Sequence, residues 1–113
     1  MPTLREYLDD RGRSPFARWL DDLATPAALK VTTALARLEA GNTSALKSVG
    51  SGVHEVRIDF GPGYRVYIGV DGADLVILLG GSTKARQSAA IADAQERWTD
   101  YRRRRRWGQR ENS

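Results

Sequence analysis

Apolar positions recur with two different periods along this chain, and the change of period divides it. Phe16, Trp19, Leu20 and Leu23 follow one another at helical spacing, and Ala28, Val31, Leu35 and Leu38 form a second stripe at steps of three and four. Ser14 before Pro15 is a helix start: the hydroxyl can cap orphan amides, and proline takes the first helical position, where no donor is missed. Thr25-Pro26 repeats the signal and Gly41-Asn42 ends the second stripe. Two helices with so short a link predict a helical hairpin.

From Val53 the period becomes two. Val56, Ile58 and Phe60 fall on one side and Glu55, Arg57 and Asp59 on the other. After Gly61-Pro62-Gly63 the alternation resumes with Tyr64, Val66, Ile68 and Val70 on the apolar side, leaving Arg65 and Tyr67 opposite. Pairing Phe60 with Tyr64 sets Arg57 across from Tyr67 and Asp59 across from Arg65. Asp71-Gly72 is a two-residue hairpin signal, and Leu75 to Leu79 is apolar without alternation, as in a strand buried on both faces. Thr3 to Leu8 fits a short edge strand, Asp9 to Arg13 a turn, and residues 43–52, rich in Ser, Thr and Gly, a loop. Ile91, Ala94, Trp98 and Tyr101 mark a last helix directed toward the arginines that follow. The expected fold is α+β: a small, mainly antiparallel sheet, an N-terminal helical hairpin on one face and a C-terminal helix.

Charge changes this picture once it is located. Of 18 Lys+Arg and 14 Asp+Glu, six arginines and one glutamate lie in residues 102–113. The body, residues 1–101, keeps 12 cations against 13 carboxylates, so its basic residues matter only where they cluster. The chain divides into a domain at 1–101 and a basic tail at 102–113, either a helix extension or disordered. The tail reads as a solvated helix end, where cations favour the dipole, or as a phosphate-binding arm or a segment held by acidic residues of a protein partner.

With no cysteine and one histidine, zinc clusters and disulfides are not expected, and no cofactor or metal is called for. The opening Met1 to Glu6 lacks an apolar signal core and no run is long enough to span a bilayer, so a cytoplasmic protein is expected. Gly61-Pro62-Gly63 is not a phosphate loop, because a strand follows it. What remains is metal-free chemistry on cations. It suits RNA, whose 2′-hydroxyl can attack its own phosphate while Arg or Lys neutralises the phosphorane.

The order of motifs resembles the RelE/ParE superfamily of bacterial type II toxins, most closely its HigB-like addiction-module killer branch. The matching residues are Ser14-Pro15-Phe16 with Trp19-Leu20, Gly41-Asn42, Lys47 to Gly50, Gly52-Val53, Glu55-Val56-Arg57, Gly61 to Tyr67, Leu78 to Gly81, Lys84, Gln87, Ile91, Ala94 and Trp98. The resemblance covers roughly residues 3–101. It implies a ribosome-dependent, metal-independent mRNA endonuclease that inhibits translation. Its neighbour would be a cognate antitoxin, in this branch usually a helix-turn-helix protein through which alone operator DNA is reached. It also implies two alternatives, a ParE-like inhibitor of DNA gyrase that cuts no RNA and a catalytically inactive antitoxin-binding partner.

Carried over by position, Arg57 would act on the attacking 2′-oxygen, Arg65 would hold the scissile phosphate and Lys84 would neutralise the leaving group. Asp59 stands where some members carry a second cation, and Ala89-Ala90 falls near where some carry a tyrosine. His54 and Tyr67 are then the candidates for proton transfer. Lys47, Arg86, Arg102, Arg103, Arg104, Arg105 and Arg106 are the candidate RNA-binding cations.

Overall fold

The computed structural model describes residues 2–111, with side chains as far as Arg106. Strand β1 (Thr3–Glu6) comes first, followed by helices α1 (Pro15–Asp21) and α2 (Thr25–Glu39). Strands β2 (Leu46–Gly50), β3 (Val53–Ile58), β4 (Tyr64–Asp71) and β5 (Leu75–Thr83) follow. A 3-10 turn at Lys84–Arg86 leads into α3 (Gln87–Glu111). The five strands form one sheet in the order β1-β5-β4-β3-β2, antiparallel throughout except for the parallel pair β1 and β5. The fold is α+β, with a mostly antiparallel sheet and a C-terminal helix. The protein therefore opens on a strand, with the two helices second.

Both helix starts lie near their sequence signals. Ser14 Oγ accepts from the Ala17 amide at 3.0 Å, with Pro15 inside the first turn. At α2 the cap position is Ala24, which has no side chain to bond the first turn, and Thr25 is already helical. Gly41, at φ +96°, ends α2 by donating to Leu38 O. The stretch expected as a loop at 43–52 contains the edge strand β2, because Leu46 and Val49 pack inward while Lys47 and Ser48 remain exposed.

The sheet has an apolar layer on each side. Phe16, Val31, Leu35 and Leu38 of α1 and α2 pack on Val56, Ile58, Val66, Ile68, Val76 and Leu78. On the opposite face Ala94 and Trp98 of α3 pack on Tyr7, Val53, Tyr67, Ile77 and Leu79. Alternate residues of β5 thus feed both layers, as its unbroken apolar run requires. Two glycines allow indoles to lie directly on the strands. A Cβ on Gly69 would be 2.2 Å from the Trp98 ring, and one on Gly81 would be 2.3 Å from the Trp19 ring. Val70, expected in the apolar layer, is 41% exposed because it lies at the end of β4.

Two departures from simple alternation shape the polar positions. Asp59 to Gly63 forms a loop, with Phe60 N donating to Ile58 O, Gly63 N donating to Phe60 O, and Gly61 and Gly63 at positive φ. Pairing therefore closes at Ile58 and Tyr64, and Arg57 lies opposite Arg65 and Glu55 opposite Tyr67. The expected Arg57–Tyr67 and Asp59–Arg65 pairs do not form; Asp59 is exposed in the loop. The second departure is a bulge at Leu79, where Tyr67 pairs with Gly80 and Ile68 with Leu78. Similarly, Asp71 still pairs with Leu75, so Gly72 to Asp74, not Asp71-Gly72 alone, makes the second hairpin loop.

Candidate functional site

Arg57 and Arg65 are directly opposite on adjacent strands, an arrangement that repels unless a carboxylate intervenes. Glu55 intervenes. Its side chain is fully buried, and Oε1 accepts from Arg57 Nε at 3.0 Å and lies 4.0 Å from Arg65 Nε. Oε2 accepts from Gln87 Nε2 at 3.1 Å, so the first residue of α3 completes the site. Arg65 donates from Nη1 to its neighbour Tyr64 O, while its buried Nε has no hydrogen-bond partner.

The hairpin loop brings in Lys84. Its amide donates to Gly63 O, and a Cβ on Gly63 would lie 3.5 Å from Lys84 Cβ and 3.7 Å from Arg65 Nη1. Arg65, Arg57 and Lys84 thus meet at one end of the sheet, beside the start of α3. Access differs among them: the Arg57 side chain is 45% exposed and that of Arg65 only 6%, while Lys84 is exposed. A ligand would meet Arg57 and Lys84 first, with Arg65 contributing from beneath.

Tyr67 lies on the same face but is fully buried, with its hydroxyl 3.0 Å from Ser82 Oγ. Burial pushes its phenol above the usual value against the pull of the Ser82 hydrogen bond, so the group stays protonated at neutral pH. The bulge at Leu79 brings Ser82 to this face by inverting the side-chain alternation of β5. His54 is not part of the cluster. It pairs with Ile68, which belongs to the opposite layer, and alternation separates it from Glu55 and Arg57. Half-buried, it leaves Nδ1 without a partner and lines a second cleft with Arg102, Arg105 and Arg106.

The remaining cations are dispersed. Lys47 is exposed on edge strand β2 opposite Glu55, and Arg86 is exposed in the 3-10 turn. Arg103 and Arg104 bond Asp100, Arg104 also donates to Leu8 O at 2.7 Å, and Arg105 bonds Asp71. The tail from Arg102 continues α3, while the side chains of Trp107 and Arg110 lie outside the described residues. Among the described residues, no group of three or more His, Cys, Asp or Glu side chains could hold a metal ion. No described helix is long and apolar enough to cross a membrane.

Glu55 and Gln87 were visible in the sequence as motif members but not as a joint carboxylate and amide. Their contact spans 32 positions and depends on how α3 docks.

No protein-family model matches the chain. An uncharacterized protein of Haemophilus influenzae is 42% identical over 80 residues, a match covering 70% of this chain and 81% of that protein. At that identity and coverage the two share a fold and a common origin, and the chain belongs to the family of this Haemophilus influenzae protein.

Proposed function

We propose that the protein is the toxin of a type II toxin–antitoxin pair, of the RelE/ParE superfamily and its HigB-like branch, acting in the cytoplasm as a ribosome-dependent mRNA endonuclease. The observation that carries this reading is the pair Arg57 and Arg65 on buried Glu55, with Lys84 beside the Gly63 turn that adjoins Arg65, in a body that is close to neutral as a whole. The finer architecture belongs to the same proposal: α1 and α2 form the helical hairpin, and both lie in the layer opposite α3.

In this mechanism the ribose 2′-oxygen attacks the adjacent phosphorus and gives its proton to solvent water, the P–O5′ bond breaks with the 5′-oxygen taking a proton from water, and a 2′,3′-cyclic phosphate forms. Arg57 meets the attacking oxygen and the phosphorane, Lys84 meets the leaving oxygen, and Glu55 positions Arg57 and Arg65 against each other. Each charge-stabilising donor of this kind contributes on the order of 10²–10³ in rate. Tyr67 acts as a positioning residue, because its buried hydroxyl is spent on Ser82.

Primer extension on mRNA after induction tests the reading. Discrete, codon-linked cuts are expected, together with growth arrest relieved by the neighbouring antitoxin. Arg65→Ala should abolish the cuts while antitoxin binding persists. Intact mRNA with broken or abnormally supercoiled DNA would assign the fold to gyrase inhibition instead, and unaffected growth would leave only the inactive-partner reading.

A further inference from the structure

The five consecutive arginines of α3 are not equivalent. Arg103 and Arg104 bond Asp100, and Arg105 bonds Asp71, whose carboxylate also accepts from Tyr101 Oη at 2.6 Å. Arg102 and Arg106 have no carboxylate partner among the described residues. At i and i+4 they share one helix face, where like charges repel. Both line a cleft of about 500 Å³ at the end of the sheet where β3 begins and β4 ends.

The same cleft contains a further feature that its own packing leaves unmet. Val70, beside half-buried His54 in the lining, exposes 41% of its surface. Asp71, the acidic group of the lining, is already neutralised by Arg105. Two cations without a carboxylate partner among the described residues, beside exposed Val70, match a nucleotide. Its phosphate suits the guanidinium forks, and its base offers a flat apolar face and an edge bearing both donors and acceptors. A stretch of acidic peptide would meet only the first of these.

We propose that this cleft is a second nucleic-acid site, binding a phosphate and base of single-stranded RNA away from the reaction. It rests on the endonuclease reading for the choice of RNA as the polyanion. Gln87 touches Glu55, and Arg102 lies 15 residues further along the same helix, which places the cleft about 22 Å from the Arg57–Lys84 cluster. Lys47 is exposed on edge strand β2, beside the strand β3 that runs from one site to the other, so one strand of RNA can span both sites.

Fluorescence anisotropy of a labelled single-stranded RNA octamer with the full chain tests this. Arg102→Ala with Arg106→Ala should weaken binding about tenfold and flatten the log–log salt dependence by about 1.4, two single-strand phosphate contacts. Arg11→Ala, an exposed cation elsewhere, should change neither. Unaltered affinity and salt slope in the double variant would overturn the proposal. Octaglutamate displacing a labelled acidic peptide from the cleft, with RNA failing to do so, would overturn it in favour of an acidic protein segment. Scoring mRNA cuts separately keeps the two readings apart: RNA binding that needs Arg102 and Arg106 in a protein that cuts no mRNA supports the cleft and removes only the nuclease.

Discussion

Glu55 is the residue on which the candidate site turns. It is buried between two guanidinium groups and a side-chain amide, and removing it leaves Arg65 with an uncompensated buried charge. Breaking a buried pair from one side costs roughly 3–5 kcal/mol. Glu55→Ala should fall near the lower end, about 3 kcal/mol in urea denaturation, because Arg57 can turn to solvent. Toxicity on induction should fall with it. Glu55→Gln, which retains an acceptor for Arg57, should lose less stability; equal losses would show that the charge, not the acceptor, carries the contribution. The position is legible in the sequence as the polar side of a strand. Its joint hold on Arg65 and Gln87 was not legible, since register and helix docking create it.

At the scale of elements, α3 is held to the sheet at three levels. Gln87 bonds Glu55 at its start, Trp98 lies on Gly69 in its middle, and Tyr7 Oη donates to Asp100 at 2.6 Å further along. Arg97 Nη1 also donates at 2.9 Å to the carbonyl of Leu79, the bulged residue, which ties the helix to the distortion that aims Ser82. A methyl group at Gly69 cannot fit under the indole without moving the helix. Gly69→Ala should therefore destabilise by about 1–3 kcal/mol, the usual cost of overpacking, seen as a lower Tm. Tyr7→Phe should cost roughly 1.5–3 kcal/mol, a hydrogen bond to a charged acceptor, with amide exchange rising first in the second half of α3. The apolar stripe Ile91, Ala94 and Trp98 made this helix predictable. Its partner strands were not, because a helix stripe specifies only that something apolar must cover it.

For the whole molecule, the same anchors set a pH window. Burial first, then the hydrogen bond to Asp100, pushes the Tyr7 phenol up to about 12. A raised folded pKa contributes stability that is complete below the unfolded value of 10.0 and is lost as pH rises through about 12. Tyr67 and Tyr101 shift the same way, both chiefly by burial. Asp100 behaves oppositely: burial resists its ionisation, but hydrogen bonds from Tyr7, Arg104 and Arg103 outweigh it and lower its pKa. Its contribution is present above the ordinary value of 3.8 and is lost as pH falls through the lowered one. The urea midpoint should thus be level between roughly pH 4 and pH 10 and fall on both sides. Tyr7→Phe should soften the alkaline fall, and an unchanged limb would assign that transition to the other tyrosines.

Local chemistry is enough to specify much of this protein. Helix starts at Ser14 and near Pro26, the glycine stop at Gly41, the alternation of β3 and β4 and the doubly buried β5 all follow from steric and solvation preferences of neighbouring residues. Those preferences do not extend across the sheet. Whether Arg65 faces Asp59 or Arg57 depends on how many residues the Gly61-Gly63 loop takes up, and whether Ser82 joins Tyr67 depends on one bulge. Asp100 tethers Arg103 and Arg104 through helical spacing alone, but Arg105 is tethered only because α3 docks beside Asp71, 34 positions away. Burial, register and long-range pairing are properties of the packed chain. They decided that a polar strand face became a covered glutamate between two arginines, and that Arg105 was tied to the sheet while Arg102 and Arg106 met no carboxylate among the described residues.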